Sequence, residues 1–126
     1  MEKSKYHFRF EDLKIYQKAL DYGDFVNEQV SNFPKIEQYR LSSQFIKASD
    51  SIALNIAEGY SGSKANFLRY LGIAVGSLDE CVVCSTKAYR RSLIDSDINE
   101  ENRKRLSELS KMIQSYMNYL KKNLKK

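Results

Sequence analysis

The sequence predicts an all-α protein, an antiparallel up-down-up-down four-helix bundle in a single domain over residues 1–126. Three observations predict it. Apolar residues recur at spacings of three and four in four successive segments, the signature of amphipathic helices. The chain has 5 glycines and 1 proline, which disfavours turn-rich all-β and collagen-like classes. The links between segments are short, and short links force neighbouring helices to run antiparallel. With 42% hydrophobic residues the chain can form a real core, and a chain of this length buries roughly two thirds of its unfolded surface.

The first helix is expected from about Phe10 to Val30, with Leu13, Tyr16, Leu20, Gly23, Asn27 and Val30 as its stripe. Lys14, Lys18, Asp21, Asp24 and Glu28 mostly fall off that stripe, and Pro34, which has no amide hydrogen to donate, stops the helix. The second helix is expected from about Glu37 to Glu58 on Leu41, Phe45, Ala48, Ile52 and Ile56. Ile46, Ala53, Leu54 and Ala57 widen this stripe, and between Leu41 and Ala57 the only charges are Lys47 and Asp50. Such a helix needs cover on more than one side, from its own fold or from another subunit. Gly59 is expected to end it, and Ser61-Gly62-Ser63 to make the connection.

The third helix is expected from about Lys64 to Arg91, with Phe67, Leu71, Ala74, Val75, Leu78, Val82 and Tyr89 inward. Gly72 and Gly76 each weaken it by about 1 kcal/mol relative to alanine, and close approach of a neighbouring helix is the expected compensation. Asp95-Ser96-Asp97 makes a polar break, and Asp97 with Glu100 reads as a capping pair. The fourth helix follows on the stripe Leu106, Leu109, Ile113, Tyr116 and Leu120. A short N-terminal arm, residues 1–9, and a basic tail, residues 121–126, flank the bundle.

Charge is distributed unevenly. From Arg103 onward the chain holds Arg103, Lys104, Arg105, Lys111, Lys121, Lys122, Lys125 and Lys126 against the single acid Glu108, a net of +7. Residues 1–102 hold 13 bases and 15 acids, a net of −2, so all of the overall +5 comes from the last helix and its tail. Such a stripe can neutralise phosphates of RNA or DNA and give salt-sensitive affinity through counterion release. Arg90 and Arg91, with Lys3, Lys5 and Arg9, extend the patch. The plainer reading is a solvated helix whose cations suit its dipole and keep the protein soluble. A membrane-surface role is disfavoured, because the fourth helix has no apolar face beyond its core stripe.

The start Met1-Glu-Lys-Ser-Lys5 is charged and is followed by no apolar run, so neither a secretory signal nor an anchor is expected, and the mature chain begins there. The uncharged stretch Tyr70 to Leu78 is far short of the roughly 20 residues that span a bilayer. Cys81 and Cys84 are expected as reduced thiols in a cytoplasm. Their Cys-x-x-Cys spacing matches a redox motif, but it lies mid-helix rather than at the helix N-terminus that lowers a thiol pKa, and core packing is the expected role. No zinc site is expected, since the one histidine, His7, is distant in sequence. His7 sits in Tyr6-His-Phe-Arg-Phe10, whose period-two aromatics predict an extended arm docked on the bundle or a neighbouring subunit, with base stacking as the alternative.

Ser51, Asn55 and Glu58 fall at i, i+4 and i+7 and share one face of the second helix. An acid beside an amide suits acid–base chemistry, but no nucleophile, second carboxylate or metal set accompanies them. A buried polar network that fixes helix register, with Arg69 as the counter-charge of Glu58, is the expected role.

The segments Phe33-Pro34, Glu37-Gln-Tyr-Arg-Leu41, Gln44, Ser51-Ile-Ala-Leu-Asn-Ile-Ala-Glu-Gly59, Phe67-Leu-Arg-Tyr-Leu71 and Gly76-Ser-Leu-Asp-Glu80 form a pattern. It resembles the four-helix-bundle proteins encoded in intervening sequences of bacterial large-subunit rRNA genes, from about Phe10 to Leu120, with Asn-Ile-Ala-Glu-Gly as the most specific run. Ala53 departs from the pattern, since many members have proline there, which removes the ground for a kink in the second helix. The resemblance implies a cytoplasmic bacterial protein that forms a ring-like homo-oligomer, a pentamer, with no established enzymatic activity; no cofactor or metal is expected. A related group serves as accessory protein of diversity-generating retroelements, binding nucleic acid and the reverse transcriptase. Carried over by position, Asn55, Glu58 and Gly59 belong to the signature. The reading is therefore a non-enzymatic homo-oligomer that binds RNA or DNA through its basic last helix; a scaffold for a partner protein, such as a reverse transcriptase, is the alternative.

Overall fold

Four helical periods become four helices: α1 Lys14–Val30, α2 Leu41–Tyr60, α3 Lys64–Arg90 and α4 Ser96–Leu124. The computed structural model describes residues 4–37 and 40–124; Met1–Lys3, Gln38, Tyr39, Lys125 and Lys126 lie outside the described residues. Each helix packs on the next, and α4 closes back on α1, so the chain forms the antiparallel up-down-up-down bundle that its short links require.

The core lies along the common axis. Phe45, Ile52 and Ile56 of α2, Leu71 of α3, and Leu106, Leu109 and Ile113 of α4 are almost without exposure. Burying each such side chain stabilises the fold by about 1.5–3 kcal/mol relative to leaving it in water. The expected stripe of α2 is wholly inward, and that of α4 is inward except for half-buried Tyr116. On α3, Phe67, Leu71, Ala74 and Leu78 are buried, whereas Tyr89 is exposed, and Cys81, Cys84, Ser85 and Ala88 complete the buried face instead.

On α1 the structure corrects the stripe. The buried residues are Ile15, Ala19, Tyr22, Val26, Gln29 and Val30. Tyr16, Leu20, Gly23 and Asn27 lie one step round the helix and line a groove against α2 with Asp50, Ala53, Leu54 and Ala57. Two helical stripes interleave on α1, and the one containing Ala19 goes inward.

The helix ends also differ from expectation. A 3-10 turn, Arg9–Asp12, precedes α1, and another, Lys35–Glu37, precedes α2, so each helix starts about four residues late. Gly59 does not end α2; it sits buried in the last turn, before the cap residue Ser61. A Cβ at Gly59 would stand 2.5 Å from Tyr70 Cβ, so glycine there lets α2 and α3 close together. Gly72 and Gly76 are exposed, with nothing within 4 Å of where a Cβ would be, so no neighbouring helix of this chain compensates them. α4 is capped by Asp95, whose Oδ1 accepts from Ile98 N at 2.9 Å, and not by Asp97. The turn out of α3 places Ser92 at φ 61°.

These contacts separate the glycines by role. Gly59→Ala should destabilise the protein by about 1–3 kcal/mol through the clash with Tyr70, whereas Gly72→Ala should stabilise it by up to about 1 kcal/mol. Chemical denaturation of both variants checks the pair; equal effects would contradict the packing described.

Candidate nucleic-acid interface

At about 1.5 Å per residue the 29 residues of α4 span about 43 Å, the full height of the bundle. Its buried residues, Asn102, Leu106, Leu109, Ile113 and Leu120, mark one line along the helix. Successive residues turn by about 100°, which places Lys104, Lys111 and Lys122 opposite that line and Arg103 and Lys121 on its flank. All five are exposed.

The cations differ in what surrounds them. Arg91, just past α3, donates from Nη1 to Glu37 Oε2 at 3.4 Å, and Glu37 itself is buried. Arg103 donates from Nη2 to Thr86 Oγ1 on α3 at 2.7 Å. Arg105 donates from Nε to Glu101 Oε2 at 2.8 Å, which holds the Glu101 carboxyl below its usual range, and its guanidinium lies 4.1 Å from the centre of the Phe25 ring. Lys104 shares a hollow with Lys18, Arg105, Asp21, Glu101 and Glu108, where three bases meet three acids. Arg90 is exposed at the end of α3. Among the described residues, no carboxylate lies within ion-pair distance of Lys111, Lys121 or Lys122. Lys125 and Lys126 lie outside the described residues. The structure thus splits the expected stripe: Arg91, Arg103 and Arg105 are engaged by carboxylates, a hydroxyl and a ring, and Lys111, Lys121 and Lys122 face solvent with no acid within ion-pair distance among the described residues.

The position of α4 rests on a buried network that sequence reasoning missed. Asn102 is fully buried; its Oδ1 accepts from Gln29 Nε2 at 2.7 Å and Tyr22 Oη at 3.3 Å. Its Nδ2 donates to Gln29 Oε1 and to Ser85 Oγ, each at 2.9 Å. Ser85 Oγ in turn donates to Asn99 Oδ1 at 2.7 Å. Three helices meet on one amide. Burial also pushes the Tyr22 hydroxyl pKa well up, so it stays a donor.

The polar set of α2 is only partly as expected. Ser51 Oγ and Ser77 Oγ are 2.8 Å apart, and Asn55 Nδ2 donates to Ser51 O at 2.8 Å and Ser51 Oγ at 2.9 Å. This half-buried cluster ties α2 to α3. Glu58 is not part of it: the residue is exposed, and Arg69 lies over the Tyr70 ring at 4.7 Å rather than on Glu58. Glu58 stays on the same side of α2 but at its exposed edge, and among the described residues the expected Glu58–Arg69 ion pair does not form.

Cys81 and Cys84 are buried in the core, and burial raises both thiol pKa values, that of Cys84 to about 11. Such thiols pack and do not attack. Of the aromatic arm, only Phe10 docks, edge-on to Tyr16 at 5.1 Å; Tyr6 and Phe8 are exposed, and His7 Nε2 lies 2.9 Å from Asp12 Oδ1. Among the described residues, no His, Cys, Asp and Glu side chains gather as a metal site, and no helix is long and apolar enough to cross a membrane.

The family model of the 23S rRNA-intervening sequence protein matches residues 11–115. The chain belongs to this family. A crystal structure of a protein with unknown function from the S23 ribosomal protein family of Bacteroides thetaiotaomicron is similar, with a TM-score of 0.73 and 21% identity. The likeness covers 82% of this chain and 97% of the other, and it shows the fold. No curated protein matches the chain. The family description names no reaction, and the structural neighbour is not described as an enzyme.

Truncating the amide at the centre of the buried network tests its role. Asn102→Ala should cost about 2–4 kcal/mol in urea denaturation, because Gln29, Tyr22 and Ser85 are left buried with unsatisfied groups. A loss below about 1 kcal/mol would show that the network does not hold α4.

Proposed function

We propose that this member of the family is a non-enzymatic homo-oligomer that binds RNA or DNA without sequence specificity through α4. The observation that carries this reading is the uncompensated charge of Lys111, Lys121 and Lys122 on one exposed arc, in a chain whose whole positive excess lies beyond residue 102. Phosphates replace their own counterions with these ammonium groups, and the released ions drive binding. Association of copies repeats the patch and multiplies a weak affinity by effective concentration. The assembly itself is supported by the groove between α1 and α2, where Leu54 is 66% and Leu20 45% exposed. Isolated side chains of this kind are ordinary, but two exposed leucines beside Ala53, Ala57 and Tyr16 in one groove suit a subunit contact. A ring of five copies follows from the family resemblance.

The second reading is a scaffold for a partner protein, such as a reverse transcriptase, in which the same groove takes a helix of that partner and α4 stays solvated. The groove favours it as much as it favours assembly; the charge segregation does not.

Light scattering combined with a fluorescence titration separates the two. The nucleic-acid reading expects a mass several times 14.7 kDa and an affinity for labelled RNA or DNA that falls about tenfold or more between about 50 and 200 mM salt. Absence of binding at low salt, or binding indifferent to salt, would remove it.

A further inference from the structure

The groove between α1 and α4 changes character along its length. At the end near Asp21 it is a charge-balanced hollow, with Lys18, Lys104 and Arg105 set among Asp21, Glu101 and Glu108. At the other end it opens to about 780 Å³ with an apolar floor of Leu13, Ile15 and Met112 and a wall formed by Tyr119. Lys14 stands on one rim and Lys111 on the other. Its one carboxylate, Asp12, already faces His7 at 2.9 Å.

Tyr119 is a large aromatic left 61% exposed, yet its ring is held in place. It meets Tyr116 edge-on at 6.1 Å; Tyr116 meets Phe67 at 5.5 Å, and Phe67 meets Tyr60 at 5.6 Å. This chain of edge-to-face contacts runs from the core to the surface and pre-positions the outermost ring, so little side-chain entropy is lost when something stacks on it. Helix geometry then puts Lys111, Ser115 and Tyr119 in one row at intervals of four, with Lys122 three residues further on.

We propose that this end of the α1–α4 groove binds single-stranded nucleic acid, with a base stacked on Tyr119 and the adjoining phosphates on Lys111, Lys122 and Lys14. The inference rests on the nucleic-acid reading above and adds a preference for unpaired strands. A duplex keeps its bases inside and offers only phosphates, so it satisfies the lysines and leaves the ring and the apolar floor unused. A single strand offers both, since its bases are free to splay and every base has a face to stack. An apolar peptide would bury the ammonium groups without partners, which costs free energy. The stacking and phosphate contacts are open to RNA and DNA strands alike.

The test uses the full-length chain, with dT and U oligonucleotides and a DNA hairpin duplex of equal length. Both single strands should bind more tightly than the duplex. Tyr119→Ala should weaken single-strand binding by at least about fivefold and leave duplex binding unchanged, and Tyr119→Phe should restore the affinity. The chain has no tryptophan, so Tyr119→Trp supplies a lone indole whose emission single strands should quench and the duplex should not. Duplex binding as tight as single-strand binding, or a Tyr119→Ala protein equal to wild type, overturns the proposal while the nucleic-acid reading stands. A Tyr119→Ala protein with altered oligomeric mass and unaltered affinity also overturns it, and gives the groove to a second copy. Failure of the wild type to bind any of the three ligands removes both.

Discussion

Everything that faces solvent on α4 depends on where Asn102 sits. Its amide is closed off from water and meets Gln29 and Tyr22 of α1 and Ser85 of α3, so rotation and slip of α4 are limited by groups on two other helices. Apolar packing alone tolerates a slip, because one leucine substitutes for another against a neighbour. A buried amide does not: a shift of one residue turns the helix by about 100° and leaves donors and acceptors without partners, each costing about 1–3 kcal/mol. The lysine arc opposite the core is therefore a consequence of a hydrogen-bond network inside it.

Electrostatics then divides that arc. Arg91, Arg103 and Arg105 have planar guanidinium groups, and each has found a fixed partner: a buried carboxylate, a hydroxyl, and a carboxylate together with an aromatic face. Lys111, Lys121 and Lys122 are flexible ammonium groups without an acid nearby among the described residues. The division follows the chemistry of the two side chains, since guanidinium makes fork-shaped and stacking contacts and ammonium acts as a hydrated point charge. The arginines hold the bundle end together, and the lysines are left for an external anion. The aromatic row that ends at Tyr119 lies at the lysine end.

Much of this was legible in the sequence. The stripe of α4 stands in a background of polar residues, and that of α2, though widened by Ile46, Leu54 and Ala57, is unbroken through Leu41, Phe45, Ala48, Ile52 and Ile56, so in both the period identifies the helix and its inward side. On α1 two stripes interleave, and spacing alone does not say whether Leu20 or Ala19 goes inward; the face that carries Ile15, Tyr22 and Val26 is the one that fills the core. The capping of α4 by Asp95 was obscured because Asp97 offers the same chemistry two residues later. The Asn102 network gave no signal, since asparagine and glutamine in a helix read as surface until three helices are brought together. Gly59 was marked by its place in the signature, but its reason, the nearness of Tyr70, is tertiary. For the candidate site, the sequence identified the bases and their concentration beyond residue 102, and the structure alone sorted the engaged Arg91, Arg103 and Arg105 from the open Lys111, Lys121 and Lys122.

The most direct measurement compares two triple variants in salt-dependent binding, each checked for intact helical circular dichroism: Lys111, Lys121 and Lys122 changed to Gln, and Arg91, Arg103 and Arg105 changed to Gln. The account predicts that the lysine variant loses about two to three units from the slope of log affinity against log salt, while the arginine variant keeps the wild-type slope. Equal losses in both, or a loss confined to the arginine variant, would contradict it.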